Sequence, residues 1–172
     1  MSRRTLPRRN PALVLTFVTL ILSAAIPAAA QDAKYVKLVH AETGKVLAVA
    51  GDSEDSYARA VLAADEAGEA RQWRLERDGD HFKAVNRKSG KVLDVEGAAS
   101  DEGRAVIQFD DKGAEAGNEN QRWAWAGDGA ERRLKSKHSG LVLDVDGEGK
   151  AVQKAADERA RGQLWKVVEV KE

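Results

Sequence analysis

One phrase of seven residues occurs three times in this chain, and few folds accommodate that. The copies are Thr43-Gly44-Lys45-Val46-Leu47-Ala48-Val49, Ser89-Gly90-Lys91-Val92-Leu93-Asp94-Val95 and Ser139-Gly140-Leu141-Val142-Leu143-Asp144-Val145. Each joins a Ser/Thr-Gly turn to a short run of β-branched and aliphatic residues with polar borders, the pattern of a strand leaving a tight turn. Side chains alternate along a strand, so Leu93 and Val95 share one face while Val92 and Asp94 share the other. The aliphatic pair can enter a core, with Asp94 pointing outward at the strand end. Asp144 repeats that placement, and Ala48 stands there in the first copy.

The repetition extends well beyond the phrase. Gly44 and Gly90 are 46 residues apart, Gly90 and Gly140 are 50 apart, and Trp73, Trp123 and Trp165 keep step at intervals of 50 and 42. Periods of this size mark a chain built from supersecondary units. Each unit opens with a strand (Tyr35–Val39, Phe82–Val85, Arg132–Lys135) and continues through the Gly turn and its strand. A polar loop leads to a third strand (Ala60–Ala63, Ala105–Phe109, Ala151–Lys154), and a second loop leads to a strand bearing the tryptophan. Four strands per unit and twelve in all predict an all-β closed or capped barrel with pseudo-threefold symmetry. The repeats span about 34–78, 79–128 and 129–170. Each tryptophan shares a strand face with an apolar residue two positions on (Leu75, Trp125, Val167), which places the tryptophans, and Trp125 with them, in the shared core. The Ala/Glu-rich segments Ala58–Gln72 and Lys154–Gly162 have helical propensity. Their counterpart in the second unit contains Gly113 and Gly117, so all three are read as loops with short turns. The tail Val168–Glu172 is expected to pair with the first strand.

The first thirty residues do not belong to this pattern. Arg3, Arg4, Arg8 and Arg9 precede an apolar run from Ala12 to Ile26, then Pro27 and Ala28-Ala29-Ala30. That is the order of a secretory signal peptide over residues 1–30, leaving 31–172 as the mature domain in a secreted or periplasmic location. Ser2-Arg3-Arg4 hints at twin-arginine export. A retained anchor is the alternative, since residues 12–30 approach the roughly 20 needed to cross a bilayer. The whole chain balances 28 basic against 28 acidic residues, and loss of the four leader arginines takes the mature domain to a net charge of −4. A nucleic-acid partner, which requires a basic face, is not expected, nor is stable membrane insertion once the leader is cleaved. With no cysteine, disulfides and thiol chemistry are excluded and the core alone must hold the fold.

The strands with Gly-x-Val-Leu-Asp-Val, the Val/Ile-Gln strand and the Gln-x-Trp signature at Gln121-Arg122-Trp123 and Gln163-Leu164-Trp165 resemble the ricin B-type lectin domain, a β-trefoil, over about residues 34–170. The resemblance implies sugar binding, often of galactose-type sugars, in a shallow pocket on each repeat. The implied contacts are the Asp after the Val-Leu pair, a Gln on the third strand, an aromatic two residues beyond it, and an Asn before the signature Gln. A carboxylate accepts hydroxyl hydrogen bonds strongly, amides both donate and accept, and an aromatic face covers the C–H side of a pyranose. The second repeat keeps Asp94, Gln108, Asn120 and Gln121 but has Asp110 at the aromatic position, and Phe109 beside it is assigned to the core face. The third keeps Asp144, Gln153 and Gln163, with Ala155 and Gly162 at the aromatic and Asn positions. The first has Ala48, Ala63, Asp65, Ala70 and Arg71 at the five positions and is read as a dead site.

Two readings of these residues compete. Asp94 and Asp144 either meet a sugar or tie their strand to the signature glutamine. The protein is accordingly read as a non-catalytic carbohydrate-binding module with at most one or two weak sites, or as a protein-interaction or inhibitor trefoil scaffold without sugar binding, acting through Gly51–Arg59 and Asp110–Asn120. No cofactor or metal is expected. Asp144-Val145-Asp146-Gly147-Glu148 lacks the spacing of an EF-hand loop, and His40, His81 and His138 are dispersed. Nothing in the sequence fixes two acids, or a Ser/His/Asp set, around one pocket, so no enzyme activity is expected.

Overall fold

The computed structural model describes residues 34–114 and 116–171; the leader expected over residues 1–30 lies outside them. The alternation read from the sequence is realised in twelve strands. In the first repeat these are β1 (Val36–His40), β2 (Val46–Val49), β3 (Ala60–Ala63) and β4 (Trp73–Asp78). In the second they are β5 (His81–Asn86), β6 (Val92–Val95), β7 (Val106–Phe109) and β8 (Trp123–Ala126), and in the third β9 (Arg133–Ser136), β10 (Val142–Val145), β11 (Ala151–Lys154) and β12 (Trp165–Glu169).

Six of these strands form a barrel. β1 pairs with β12 and β4, β4 with β5, β5 with β8, and β8 with β9, all antiparallel. Arg132 closes the ring by exchanging backbone hydrogen bonds with Trp165. Closure removes the exposed edges that an open sheet of this length would present. The tail pairs with the first strand as expected, from Val36 opposite Glu169 to His40 opposite Trp165, and the Val170 amide bonds the Tyr35 carbonyl. The other six strands make three hairpins, β2–β3, β6–β7 and β10–β11, of four registered pairs each. Bridges from Arg59 to Ile107, Ala105 to Val152 and Val61 to Lys150 join the hairpins into a triangular cap. The architecture is a β-trefoil.

Barrel and cap meet at the three tryptophans, each essentially fully buried. The indole Nε1–H groups of Trp73, Trp123 and Trp165 donate to the carbonyls of Leu47, Leu93 and Leu143 at 2.9, 3.0 and 3.3 Å. These leucines lie on the inner face of the hairpins with Val49 and Val95 and complete the core with Leu38, Phe82 and Leu134. Trp125 packs half-buried against that core, 5.5 Å from Phe82, with the Arg132 guanidinium 4.8 Å from its ring. Val167, expected to face inward with Trp165, is instead exposed. Beyond Trp165, β12 pairs with β1, and Val168 is exposed beside Val167. The Ala/Glu-rich segments are not α-helical. A single 3-10 turn precedes each tryptophan strand, at Glu69–Arg71, Glu119–Gln121 and Arg161–Gln163. Among the described residues no helix is long and apolar enough to cross a membrane.

Replacing Trp123 with Phe removes buried volume and leaves the Leu93 carbonyl without its donor in a dry interior. Urea unfolding is expected to show a loss of about 2–4 kcal/mol.

Candidate functional site

The hairpin register decides which side chains can meet. In the second repeat Asp94 opposes Ile107 and Val92 opposes Phe109, so these four share the outer face. Leu93 and Gln108 share the inner one. Three expectations need correction here. Asp94 does lie on the outer face but does not point into solvent. It is only 2% exposed, because the turn Glu119–Gln121 folds back over that face. Asp144 is similarly buried, at 7%. Phe109 belongs to the outer face with Asp94, not to the core. The register also shifts one assignment in the first repeat: the residue opposite Leu47, where Gln108 and Gln153 stand in the other hairpins, is Leu62 rather than Ala63.

The Asp94 carboxylate is held from two sides. Asn120 Nδ2 donates to Oδ1 at 2.8 Å and Gln121 Nε2 to Oδ2 at 2.8 Å. Both amides are fixed in turn, Asn120 by the Val95 carbonyl and Gln121 by the Asp110 carbonyl. Lys112, a residue the sequence reading passed over, completes the group. Its backbone N–H donates to Gln121 Oε1, its ammonium donates to Asn120 Oδ1 at 2.9 Å, and that ammonium lies 3.9 Å from Asp94 Oδ2. The lysine side chain is one-third exposed and forms the outer wall of the site. Burial pushes the Asp94 pKa up to about 6, outweighing the Gln121 hydrogen bond, the Lys112 charge and the Asn120 hydrogen bond that favour the carboxylate.

The third repeat builds a partial copy. Gln163 Nε2 donates to Asp144 Oδ2 at 3.1 Å, and Lys154 stands 3.6 Å from the same oxygen. Gly162 occupies the place of Asn120 and leaves an open cleft of about 480 Å³ lined by His40, Glu42, Lys45, Asp144 and Glu148. His40 Nε2–H donates to the Gly162 carbonyl, and Nδ1 shares a hydrogen bond with the Thr43 hydroxyl at 2.9 Å. His40 and Glu42 are first-repeat residues brought to a third-repeat acid, a juxtaposition no local motif could announce. The first repeat has no acid at Ala48, and Arg71 pairs with Asp52 instead.

Gln108 and Gln153 lie apart from the two acids, on the opposite hairpin face. Gln108 donates to the Ser53 and Asp55 carbonyls at 3.0 and 2.9 Å and accepts from Ser89 Oγ at 2.6 Å. Gln153 repeats this with Ala99, Asp101 and Ser139. Each glutamine thus ties its strand to the long loop of the preceding repeat. Of the seven expected residues, the structure gathers Asp94, Asn120 and Gln121 into one group and Asp144 and Gln163 into another. Among the described residues no three His, Asp or Glu side chains are grouped to hold a metal ion.

A threefold barrel with a hairpin cap, in which amides from the turns before the second and third tryptophan strands hold carboxylates of the cap hairpins, defines a lectin-type β-trefoil. The family described as ricin-type β-trefoil lectin domain-like matches residues 25–109 and 116–172, and the chain belongs to that family. No curated protein matches it significantly. Among solved structures it is similar to ThreeFoil, a designed threefold-symmetric protein, with 32% identity and a TM-score of 0.73 over 79% of this chain and 99% of that one. It is also similar to an exo-β-1,3-galactanase from Clostridium thermocellum, with 33% identity and a TM-score of 0.73 over 81% of this chain but only 31% of the enzyme. A Polyporus squamosus lectin shares the fold at 21% identity and a TM-score of 0.67, over 77% of this chain and 48% of that one.

Asp94 binds its proton more tightly in the folded than in the unfolded chain, so its contribution to stability is fully present below about pH 4 and is lost as pH rises through 6. Asp78 and Asp110, held low chiefly by hydrogen bonds from Arg122 and Lys91, act in the opposite direction and below that window. Asp94→Asn mimics the protonated acid. Urea unfolding is expected to show the variant gaining on the wild type by on the order of 2 kcal/mol between pH 4 and pH 7.

Proposed function

We propose that this chain is a non-catalytic carbohydrate-binding module, exported by a leader over residues 1–30 to a secreted or periplasmic location, with residues 31–172 as the trefoil domain. Its principal sugar contact is the second repeat, through Asp94, Asn120, Gln121 and Lys112, and a weaker contact is Asp144 with Gln163. The observation that carries this reading is the Asp94 group. A carboxylate oriented by two amides, with an ammonium as its outer neighbour, offers acceptors and donors to adjacent hydroxyls of a pyranose once the flexible lysine moves aside. Gln108 and Gln153 support the site by fixing the loops rather than by touching sugar. The ligand is a galactose-type glycan, a choice supported by the likeness to the galactanase, which acts on β-1,3-galactan by name and of which this chain spans about a third. With few converging groups, affinity per site is in the millimolar range, about −4 kcal/mol.

A second reading, a trefoil that binds a protein partner, is favoured by one observation: both oxygens of Asp94 are already occupied by the protein's own amides. Retention on immobilised galactosides separates the two. Asp94→Ala is expected to abolish retention while keeping the near-UV tryptophan signal of the fold, and a wild type that ignores every glycan on an array would sink the lectin reading. Sugar hydroxyls need the ionised acid, so affinity is expected to fall about tenfold from pH 7 to pH 5, measured by titration calorimetry.

A further inference from the structure

Tyr57 is the most exposed large hydrophobic side chain among the described residues, at 63%, and its backbone sits at φ 70°. A bulky residue rarely occupies that conformation, and such strain persists where surrounding structure imposes it. The second repeat has a loop of the same length, and there the equivalent residue is Gly103, at φ 77°. Both make the same backbone bond to the following repeat: Tyr57 N–H to the Gln108 carbonyl at 2.9 Å, Gly103 N–H to that of Gln153 at 2.8 Å. The loop therefore suits glycine, and a tyrosine has been placed in it.

The ring is not left loose. It meets Phe109 edge to face, with centroids 4.9 Å apart and planes at 69°, so one ring braces the other on the outer face of the β6–β7 hairpin. Hydrogen-bonding groups flank the pair. Ser56 Oγ donates to Asp110 Oδ2 at 2.9 Å, and Lys91 forms an ion pair with the same carboxylate, which remains two-thirds exposed. The Asp110 carbonyl in turn accepts Gln121 Nε2, so this patch continues into the Asp94 group.

We propose that Tyr57, backed by Phe109, is a stacking platform for a hexose residue, with Asp110, Lys91 and Ser56 receiving its hydroxyls. An aromatic ring for the C–H face beside a carboxylate and an ammonium for vicinal hydroxyls is the chemistry that selects a pyranose. The platform comes from the first repeat, so the site is composite, formed across the first and second repeats. It supplies the aromatic contact that the second repeat lacks at Asp110. This inference rests on the carbohydrate-binding reading.

The test compares the full chain with Tyr57→Gly, Tyr57→Phe and Asp94→Asn on an array of β-galactosides and β-glucosides, followed by NMR titration of tyrosine-labelled protein with methyl β-D-galactopyranoside. The chain has two tyrosines, so two ring signals report. Tyr57→Gly is expected to weaken binding at least tenfold with an unchanged or higher melting temperature, because glycine relieves the strained backbone. Tyr57→Phe should bind within twofold of wild type, and only the Tyr57 ring signal should shift on titration. Full binding by Tyr57→Gly, with Asp94→Asn impaired, overturns the platform and leaves the Asp94 site standing. A wild type that binds no sugar on the array overturns both.

Discussion

Everything in this molecule depends on a hydrogen bond made three times, from a tryptophan indole to a leucine carbonyl. The indole is the first large group of each barrel-closing strand, and the carbonyl belongs to the middle of a cap hairpin. Each hairpin is tied to the barrel by backbone pairing at its first strand, at Val39–Val46, Val85–Val92 and Lys135–Val142, and the rest of its seat on the barrel is apolar contact, which has no direction. The indole fixes the height and rotation of each hairpin over the barrel, because a buried carbonyl left unpaired is costly. Three equivalent bonds set three hairpins alike, and the threefold frame follows.

The frame was legible because it rests on local pattern repeated at distance. The Gly turns, the Val-Leu-x-Val strands and the spaced tryptophans each read as short structure, and their common period named the fold. The candidate site was legible only in part. Asp94, Asn120 and Gln121 could be brought together through family resemblance. Their burial could not, since it depends on a turn twenty-five residues downstream folding over the hairpin. The faces of β7 were misread for a related reason. Alternation gives two faces but not which of them is inner, and that is settled by which residue opposes which across the hairpin. Placing Gln108 opposite Leu93 sends Phe109 outward. The same register puts Leu62, not Ala63, in the glutamine's place. Tyr57 carried no sequence signal at all, because what sets it apart is a backbone angle and a neighbour from another repeat.

The three repeats share a frame but not a chemistry. The first has no acid and carries an exposed aromatic; the second has the acid with its amides; the third has a cleft where Asn120 would stand. Residues of one repeat complete the surroundings of another, His40 and Glu42 beside Asp144, and Tyr57 beside Phe109. Symmetry of backbone and asymmetry of side chains are compatible because the core residues that enforce the first are inward, while the residues that differ lie on the outer hairpin faces and loops.

The glutamine ties have a consequence in time. Gln108 fastens the long loop of the first repeat, and Gln153 that of the second, each reaching backward along the chain. The loop between β10 and β11 is half as long as its two counterparts. During synthesis, then, no long loop can take its final shape until the next repeat has emerged, and the loop bearing Tyr57 waits for residue 108. The first repeat waits longer still, because β1 pairs with β12 and Val61 bridges to Lys150, both in the last repeat to be made.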